Sequence, residues 1–227
     1  MFLIMFERLG VNRVIKTLVL ADFLTISAWG FINPILGVFV IESIPGAGLE
    51  TVGYATALYW IVKSIFQVPI SKYLDRSPAE ADDFYSMVVG TFLVALVPIG
   101  YIFVQSTAHF YLLQIISALG DAMAVPAWYA IFTRHVDKHK EGFEWTLNSV
   151  SVGVGAAWSA AVAGFVSSHF GFVPVFVLTT IFILSGAIFL ISLTVDLVPK
   201  RKHAQLIPPF LTVPTERRDH QKQGLIK

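Results

Sequence analysis

Three ionisable residues lie inside long apolar runs of the chain: Asp22, Lys63 and Asp121. A charged side chain is costly inside a bilayer, and it is tolerated there mainly where it faces a polar cavity or a partner. In such places a carboxylate can bind a cation, carry a proton or hold the polar group of a solute. We therefore predict that these residues line a polar pathway. The alternative is a buried pair that only holds helices together, with Asp121 protonated or hydrogen-bonded.

The positions of these residues along their runs allow one ion pair. At a rise of about 1.5 Å per residue, Asp22 lies roughly 9 Å beyond Lys16 and Lys63 lies roughly 13 Å before Lys72. If the two runs are antiparallel neighbours, Asp22 and Lys63 come to similar depths and can pair, whereas Asp121 lies deeper. Three more residues are second-rank candidates for lining the pathway: Gln114, Asn33 and Trp128.

The composition indicates a membrane protein. The chain of 227 residues is 56% hydrophobic and 14% charged, whereas soluble domains carry about 25% charged residues. Its apolar runs are long and continuous, which favours spanning helices over the alternating strands of a barrel. We predict an all-α membrane protein with a six-helix domain over residues 17–198, an N-terminal cytosolic or interfacial segment, 1–16, and a disordered basic tail, 199–227. The spans are predicted at about residues 17–41, 52–74, 84–105, 110–133, 145–168 and 172–195.

Lysine and arginine are distributed asymmetrically along the chain. Apart from Lys63, all of them lie in or beside the N-terminal segment, the connections between spans 2 and 3 and between spans 4 and 5, and the C-terminal tail. The positive-inside rule then predicts a multi-pass protein of the inner or plasma membrane with both termini in the cytosol. The chain has no cysteine, which excludes disulfides and cysteine-ligated metals. We expect a lipid bilayer around it, and no metal, cofactor, nucleic acid or enzymatic active site.

Two further patterns concern how the helices are arranged. Spans 1 and 4 each carry one Asp, one Pro and at least one Trp, and spans 3 and 6 are purely apolar. This predicts a three-plus-three inverted repeat, and a chance match is the alternative. Span 5 is dense in small residues, which let another helix approach closely. The predicted helix-contact surface, which faces a helix of the same chain or of another, consists of Gly153, Gly155, Ala160 and Gly164.

Several segments together resemble a known family. The connection after span 2 contains Ser71, Asp75 and Arg76, in the spacing of a Gly, three residues and then Asp-Arg. Span 1 carries the sequence Phe-Ile-Asn-Pro-Ile-Leu after Asp22, and span 4 has a proline, Pro126, little more than one turn after its carboxylate. With six spans and cytosolic ends, the chain resembles one half of a transporter of the major facilitator superfamily.

The resemblance implies a function and an arrangement. In that family the first and fourth helices line the cavity, the third and sixth lie outside, and the second and fifth form the contact between two halves. It implies transport of a small solute by alternating access, with Ser71, Asp75 and Arg76 as the cytoplasmic loop signature. The chain departs from the family pattern at Ser71, which replaces a glycine, and at Gln114, where many members carry an arginine linked to proton coupling.

One half alone offers only half of a cavity. The chain is therefore expected to be a homodimer of half-transporters, one partner of a heterodimer, or a truncated product, and the small residues of span 5 favour the homodimer. Its substrate is a small molecule or ion that the sequence does not identify. The alternative is a multi-pass membrane protein that does not transport, such as an assembly factor, a receptor or an anchor.

Overall fold

The computed structural model of the protein describes residues 10–76 and 80–198, and this part of the chain is built from α-helices. Most of the predicted interfacial segment and the whole predicted tail lie outside the described residues. The helices are α1 (Arg13–Ile32), α2 (Leu36–Ser43), α3 (Leu49–Leu74), α4 (Glu80–Ile102), α5 (Thr107–His135), α6 (Glu141–Phe170), α7 (Phe172–Ser192) and α8 (Thr194–Leu197).

Five helical segments within the described residues are long and apolar enough to cross a membrane: α1, α4, α5, α6, and α7 together with α8. The prediction of an all-helical chain with several segments suited to a bilayer is therefore confirmed, but the number of six spans is not. The helix at the second predicted span, α3, is 26 residues long, which is long enough to cross a membrane. Its hydropathy is lower because Lys63, Gln67 and Lys72 lie within it.

The first predicted span, residues 17–41, is divided between two helices, α1 and α2. Proline has no N–H to donate to the helical ladder, and α1 ends just before Pro34 while α2 begins at Leu36. The start is also earlier than predicted, because the side chain of Asn12 accepts a hydrogen bond from the Ile15 N–H at 2.9 Å and caps α1. Asn33 is exposed in the break between the two helices.

The connection between α5 and α6 is short and is tied to the start of α1. The Asn12 side chain donates to the His135 carbonyl and, at 3.3 Å, to Asp137. The hydrogen bond from Asn12 to the Asp137 carboxylate helps to hold the pKa of Asp137 below its usual value. The Lys140 ammonium donates to the Gly10 carbonyl at 2.9 Å. These contacts define one end of the bundle, called here the basic end because Arg13, Lys140 and their neighbours cluster there.

The long helices follow one another around an open arc. α3 packs on α5, α5 on α4, α4 on α7, α7 on α1, and α1 on α6. The two end helices, α3 and α6, therefore each have a side without an extensive contact to another described helix. On α3 only Thr51, Ala55 and Leu74 are buried.

Two of the apolar clusters in the bundle lie toward its two ends. The cluster at the basic end is centred on α1, α5 and α7, with Ile15, Leu18 and Phe132 fully buried. The cluster at the opposite end brings α2, α4, α5 and α7 together through aromatic side chains. There the ring of Phe39 lies 4.8 Å from the ring of Phe176, centroid to centroid, with an edge-to-face angle of 82°.

The backbones of α4 and α5 approach closely at a pair of glycines. A Cβ on Gly90 would lie 2.4 Å from the Gly120 carbonyl oxygen and 2.7 Å from the Ala124 nitrogen. These are backbone atoms, which cannot move aside as a flexible side chain could. The side chain of Ser86 donates to the Met123 carbonyl at 3.0 Å across the same contact. The packing of α4 on α5 therefore requires the absence of a side chain at position 90.

The Gly90→Ala variant tests this close approach. We expect it to lower the free energy of unfolding by about 1 to 3 kcal/mol, because the added methyl group forces the two helices apart. A Cβ on Gly142, in the first turn of α6, has no atom within 4 Å. Gly142→Ala is therefore the matched control, with stability unchanged or slightly raised. Denaturation of the purified protein in mixed micelles measures both, and equal stability of the two variants would contradict the packing.

Candidate functional site

A cavity of about 720 Å³ lies within the bundle and is lined mainly by α1, α3, α5 and α6. Its size falls in the range of sites for small molecules, about 300 to 1,000 Å³. All six residues predicted from the sequence to line a pathway lie around this one cavity: Asp22, Asn33, Lys63, Gln114, Asp121 and Trp128.

Lys63 and Asp121 form an ion pair on one wall of the cavity. The Lys63 ammonium lies 3.8 Å from the Asp121 carboxylate, and the two side chains are 12% and 16% exposed. Tyr59 bridges them, because its hydroxyl donates to Asp121 and accepts from Lys63 at 3.2 Å. The Lys63 ammonium also lies 5.2 Å from the centre of the Trp60 ring, within the range of a cation–π contact. Lys63 therefore has a carboxylate, a hydroxyl and an indole ring around it.

The ion pair between Asp22 and Lys63, which their positions along the chain allow, does not form in the structure. Asp22 instead accepts a hydrogen bond from the side-chain amide of Asn148 at 3.0 Å. The reason is the order of helix packing, since α3 packs on α5 whereas α1 packs on α6 and α7. Asp22 and Lys63 consequently belong to opposite walls of the cavity. Within the described part of the chain, no Lys, Arg or His forms an ion pair with Asp22.

The three second-rank candidates occupy different parts of the cavity wall. The Gln114 side chain is nearly buried and donates to the hydroxyl of Tyr101 at 3.0 Å. Asn33 is exposed in the break between α1 and α2. Trp128 stacks on Phe132 with a centroid distance of 4.7 Å, and its indole N–H is buried without a hydrogen-bond partner. Gln114 is thus held by the protein itself, whereas the polar groups of Asn33 and Trp128 have no such partner among the described side chains.

An aromatic cluster forms the part of the wall next to Asn148. The Trp145 ring lies 4.4 Å from Phe132 and 6.1 Å from Trp128, centroid to centroid. Trp145 also lies three residues before Asn148 on α6, so the two side chains project from the same side of the helix. The carboxylate of Asp22 is therefore held by a residue that lies one turn from a group of packed aromatic rings.

Sequence reasoning missed three residues of this site: Tyr59, Asn148 and Trp145. Tyr59 had a usable signal, because it lies four residues before Lys63 and shares its helix face. No sequence signal could have identified Asn148 and Trp145, because their positions beside Asp22 and Trp128 depend on which helices pack together.

The predicted loop signature lies outside the main cavity. Ser71 and Asp75 line a smaller pocket between α3 and α5, together with Arg134, and Arg76 is exposed just beyond the end of α3. Arg134 forms an ion pair with Asp83, whose side chain is fully buried. Ser71 and Asp75 therefore border an ion pair that links the basic ends of α4 and α5.

The predicted small-residue surface on α6 divides into two faces. A Cβ on Gly155 would lie 2.5 Å from the Ser27 hydroxyl of α1, so this glycine allows α1 to approach. Gly153 and Gly164 are exposed, and a Cβ on either has no atom within 4 Å. Ala160 lies between the two faces and is half-buried. Part of the surface is thus used within the chain and part points outward.

Comparison with known protein families shows which family the chain matches. The model of the Major Facilitator Superfamily matches residues 18–220 of the chain. This range includes every residue described above around the cavity. No curated protein matches the chain.

A double-mutant cycle tests the pairing of Lys63. We expect Lys63→Met to lower the free energy of unfolding by about 2 kcal/mol, because Asp121 loses its counter-charge in a poorly hydrated site. Adding Asp121→Leu should recover most of this loss, which gives a coupling above about 0.5 kcal/mol.

The control cycle combines Lys63→Met with Asp22→Asn. These two changes should add without coupling, because the residues belong to opposite walls. Denaturation in mixed micelles measures both cycles. A larger coupling of Lys63 to Asp22 than to Asp121 would refute the arrangement.

Proposed function

The chain belongs to the Major Facilitator Superfamily, a family of membrane transporters, and we propose that it carries a small solute across the membrane by alternating access. The observation that carries this proposal is the cavity, because three costly ionisable side chains line it in the middle of an apolar bundle. A bundle that only anchored other proteins would gain nothing from placing Asp22, Lys63 and Asp121 around an open space of about 720 Å³.

Six spans are part of the proposal, with α3 as the second one. Three of its cavity-lining residues, Thr56, Tyr59 and Lys63, follow one another at spacings of three and four along one face. A span that borders a wet cavity carries polar residues on that side, and this lowers its mean hydropathy without removing it from the bilayer. The low hydropathy of α3 is therefore compatible with a spanning role.

The order of packing supports a three-plus-three inverted repeat. Along the arc the helices are α3, α5, α4, α7, α1 and α6. In such a repeat α1 corresponds to α5, α3 to α6 and α4 to α7. When each helix in this order is replaced by its counterpart, the result is α6, α1, α7, α4, α5 and α3, which is the same order read backwards. Lysine and arginine collect at the basic end, so we place that end, with both termini, in the cytosol of an inner or plasma membrane.

The two ends of the arc leave the cavity open on one side, and we propose that a second copy of the chain closes it. A two-fold axis along the membrane normal would bring α3 of each copy against α6 of its partner. The exposed faces of α3 and α6 differ in shape, and a contact between them requires that one be complementary to the other. α3 exposes the large side chains of Tyr54, Ile61 and Ile65, and α6 exposes a row of small residues beside larger ones such as Val154 and Phe165. These exposed small residues are Gly153, Ala157, Ala161 and Gly164.

The large and small residues also match in depth. At a rise of about 1.5 Å per residue, Ile61 and Gly153 both lie roughly 19 Å from the basic ends of their helices. On the same scale, Tyr54 and Ala161 both lie roughly 30 Å from these ends. A rotation about the membrane normal keeps each residue at its depth, so it can bring these pairs together.

Disulfide cross-linking tests the homodimer, and the natural chain has no cysteine to interfere. We expect the double variants Ile61→Cys with Gly153→Cys, and Tyr54→Cys with Ala161→Cys, to give covalent dimers on mild oxidation in membranes. The control combines Phe92→Cys on α4 with Ile188→Cys on α7, both exposed away from the proposed contact, and it should stay monomeric on a denaturing gel. A single-copy mass in mild detergent without cross-links would contradict the homodimer.

Uptake into proteoliposomes tests transport. We expect the unmodified protein to accumulate at least one member of a mixed panel of small amines, sugars and carboxylates above empty liposomes, with the contents counted by mass spectrometry. Asp121→Asn should reduce that uptake at least about tenfold, because it removes the charge that holds Lys63.

The control for that experiment is Asp196→Asn, a carboxylate change at an exposed pair with Arg13. It should leave uptake unchanged. Uptake no higher than that of empty liposomes for the whole panel would refute the transport function, and full uptake by Asp121→Asn would refute the role of Asp121.

A further inference from the structure

We infer that the solute is an organic cation with an aromatic or similarly apolar body, and that the Asp22 carboxylate binds its positive group. This inference rests on the proposed transport function and adds the chemical class of the substrate. Three features of the cavity carry it: its charge, its hydrogen-bonding groups and its aromatic walls.

The charge of the cavity is not balanced. Among the described residues that line it, the charged ones are Asp22, Asp121 and Lys63. Lys63 lies 3.8 Å from Asp121 and on the opposite wall from Asp22, so it compensates only one of the two carboxylates. Asp22 has a neutral partner, Asn148, at 3.0 Å. With both carboxylates ionised, the site therefore has one uncompensated negative charge, and a monovalent cation would neutralise it.

The hydrogen-bonding groups around Asp22 indicate that the solute is a hydrogen-bond donor. One oxygen of its carboxylate accepts from Asn148, and the other accepts nothing from the described residues. The amide oxygen of Asn148 is buried and closed to a solute, which leaves the second Asp22 oxygen as the acceptor. If the Asn148 amide were rotated by 180°, its oxygen would face the Asp22 carboxylate, and two acceptors would repel each other. The Asp22 carboxylate therefore fixes the orientation of the Asn148 amide. A protonated amine supplies both the positive charge and the N–H groups that this site lacks.

An anionic solute fits this cavity poorly. A carboxylate or phosphate needs a basic partner, and the only basic side chain among the described lining residues, Lys63, already contacts Asp121 and Tyr59. Placing a second anion near Asp22 would add repulsion in a site with little water. A metal ion is also a poor match, because Ca²⁺ takes about six to eight oxygen ligands, and the described residues contain no cluster of metal-ligating groups.

The aromatic side chains that line the cavity indicate the chemistry of the uncharged part of the solute. Four tryptophans line the cavity, Trp29, Trp60, Trp128 and Trp145, and tryptophan is the strongest partner in cation–π contacts. One such contact already exists within the protein, between Lys63 and Trp60 at 5.2 Å. The rings of Trp128 and Trp145 lie on the Asn148 side, so a cation at Asp22 can extend its apolar part along them.

Three ligands that share an indole body but differ in charge test the inference. Tryptamine is a cation, tryptophol is neutral and indole-3-propionate is an anion. We expect the purified full-length protein in lipid nanodiscs to bind tryptamine at least about tenfold more tightly than either of the other two, as measured by calorimetric titration. Equal or tighter binding of indole-3-propionate, or no binding of tryptamine, would overturn the inference.

Variants at Asp22 test which group binds the charge. Asp22→Asn should weaken tryptamine binding at least about tenfold, and Asp22→Glu should keep it within about threefold of the unmodified protein. Asp196→Asn removes a carboxylate outside the cavity and should change nothing. Unchanged affinity of Asp22→Asn would overturn the assignment to Asp22. If that variant does not elute as a folded protein, the preference of the unmodified chain among the three ligands still decides the charge of the substrate.

Uptake separates this inference from the transport function. Tryptamine binding that depends on Asp22, without tryptamine uptake into proteoliposomes, would support the cation site and contradict transport. Uptake of neutral or anionic solutes in preference to organic cations would support transport and overturn the inference.

Discussion

Ionisable side chains within an apolar bundle have to be compensated without bulk water, and this constraint organises both the fold and the site. The compensation takes two forms here. On one wall Lys63 of α3 meets Asp121 of α5, with Tyr59 between them. On the other wall Asp22 of α1 meets only the neutral amide of Asn148 on α6. Each form links two helices, and the unequal compensation gives the cavity its net charge.

Close backbone contacts hold the closed side of the arc. Gly90 and Gly120 bring α4 against α5, Gly155 brings α6 against α1, and a Cβ on Gly186 of α7 would lie 3.1 Å from the Ala21 carbonyl oxygen of α1. Without a hydrophobic driving force between helices in lipid, such close packing is a main source of association. The helices at the back of the cavity are therefore fixed to one another, whereas the outward sides of α3 and α6 have no comparable contact with the helices that the structure describes.

The basic end provides a second set of polar contacts, and these can meet water at the membrane surface. Arg134 pairs with the buried Asp83, Asn12 bonds to the connection between α5 and α6, and Lys140 reaches the Gly10 carbonyl. Asp83 belongs to the acidic group in the first turn of α4, which also contains Glu80 and Asp82. Its buried carboxylate balances the charge of Arg134 at the end of α5.

Composition and apolar patterning are enough to predict the class of the fold and the three charged residues that line the cavity. Long apolar runs require helices in a bilayer, and charges inside them are so costly that Asp22, Lys63 and Asp121 could be selected from composition alone. The partners of these three residues follow from the way the helices pack. Asn148, Tyr59 and Trp145 are neutral and inexpensive in an apolar run, so they leave little trace in the sequence. Lys63 pairs with Asp121 rather than Asp22 because α3 packs on α5, and such choices depend on contacts between distant segments, which local patterns do not encode.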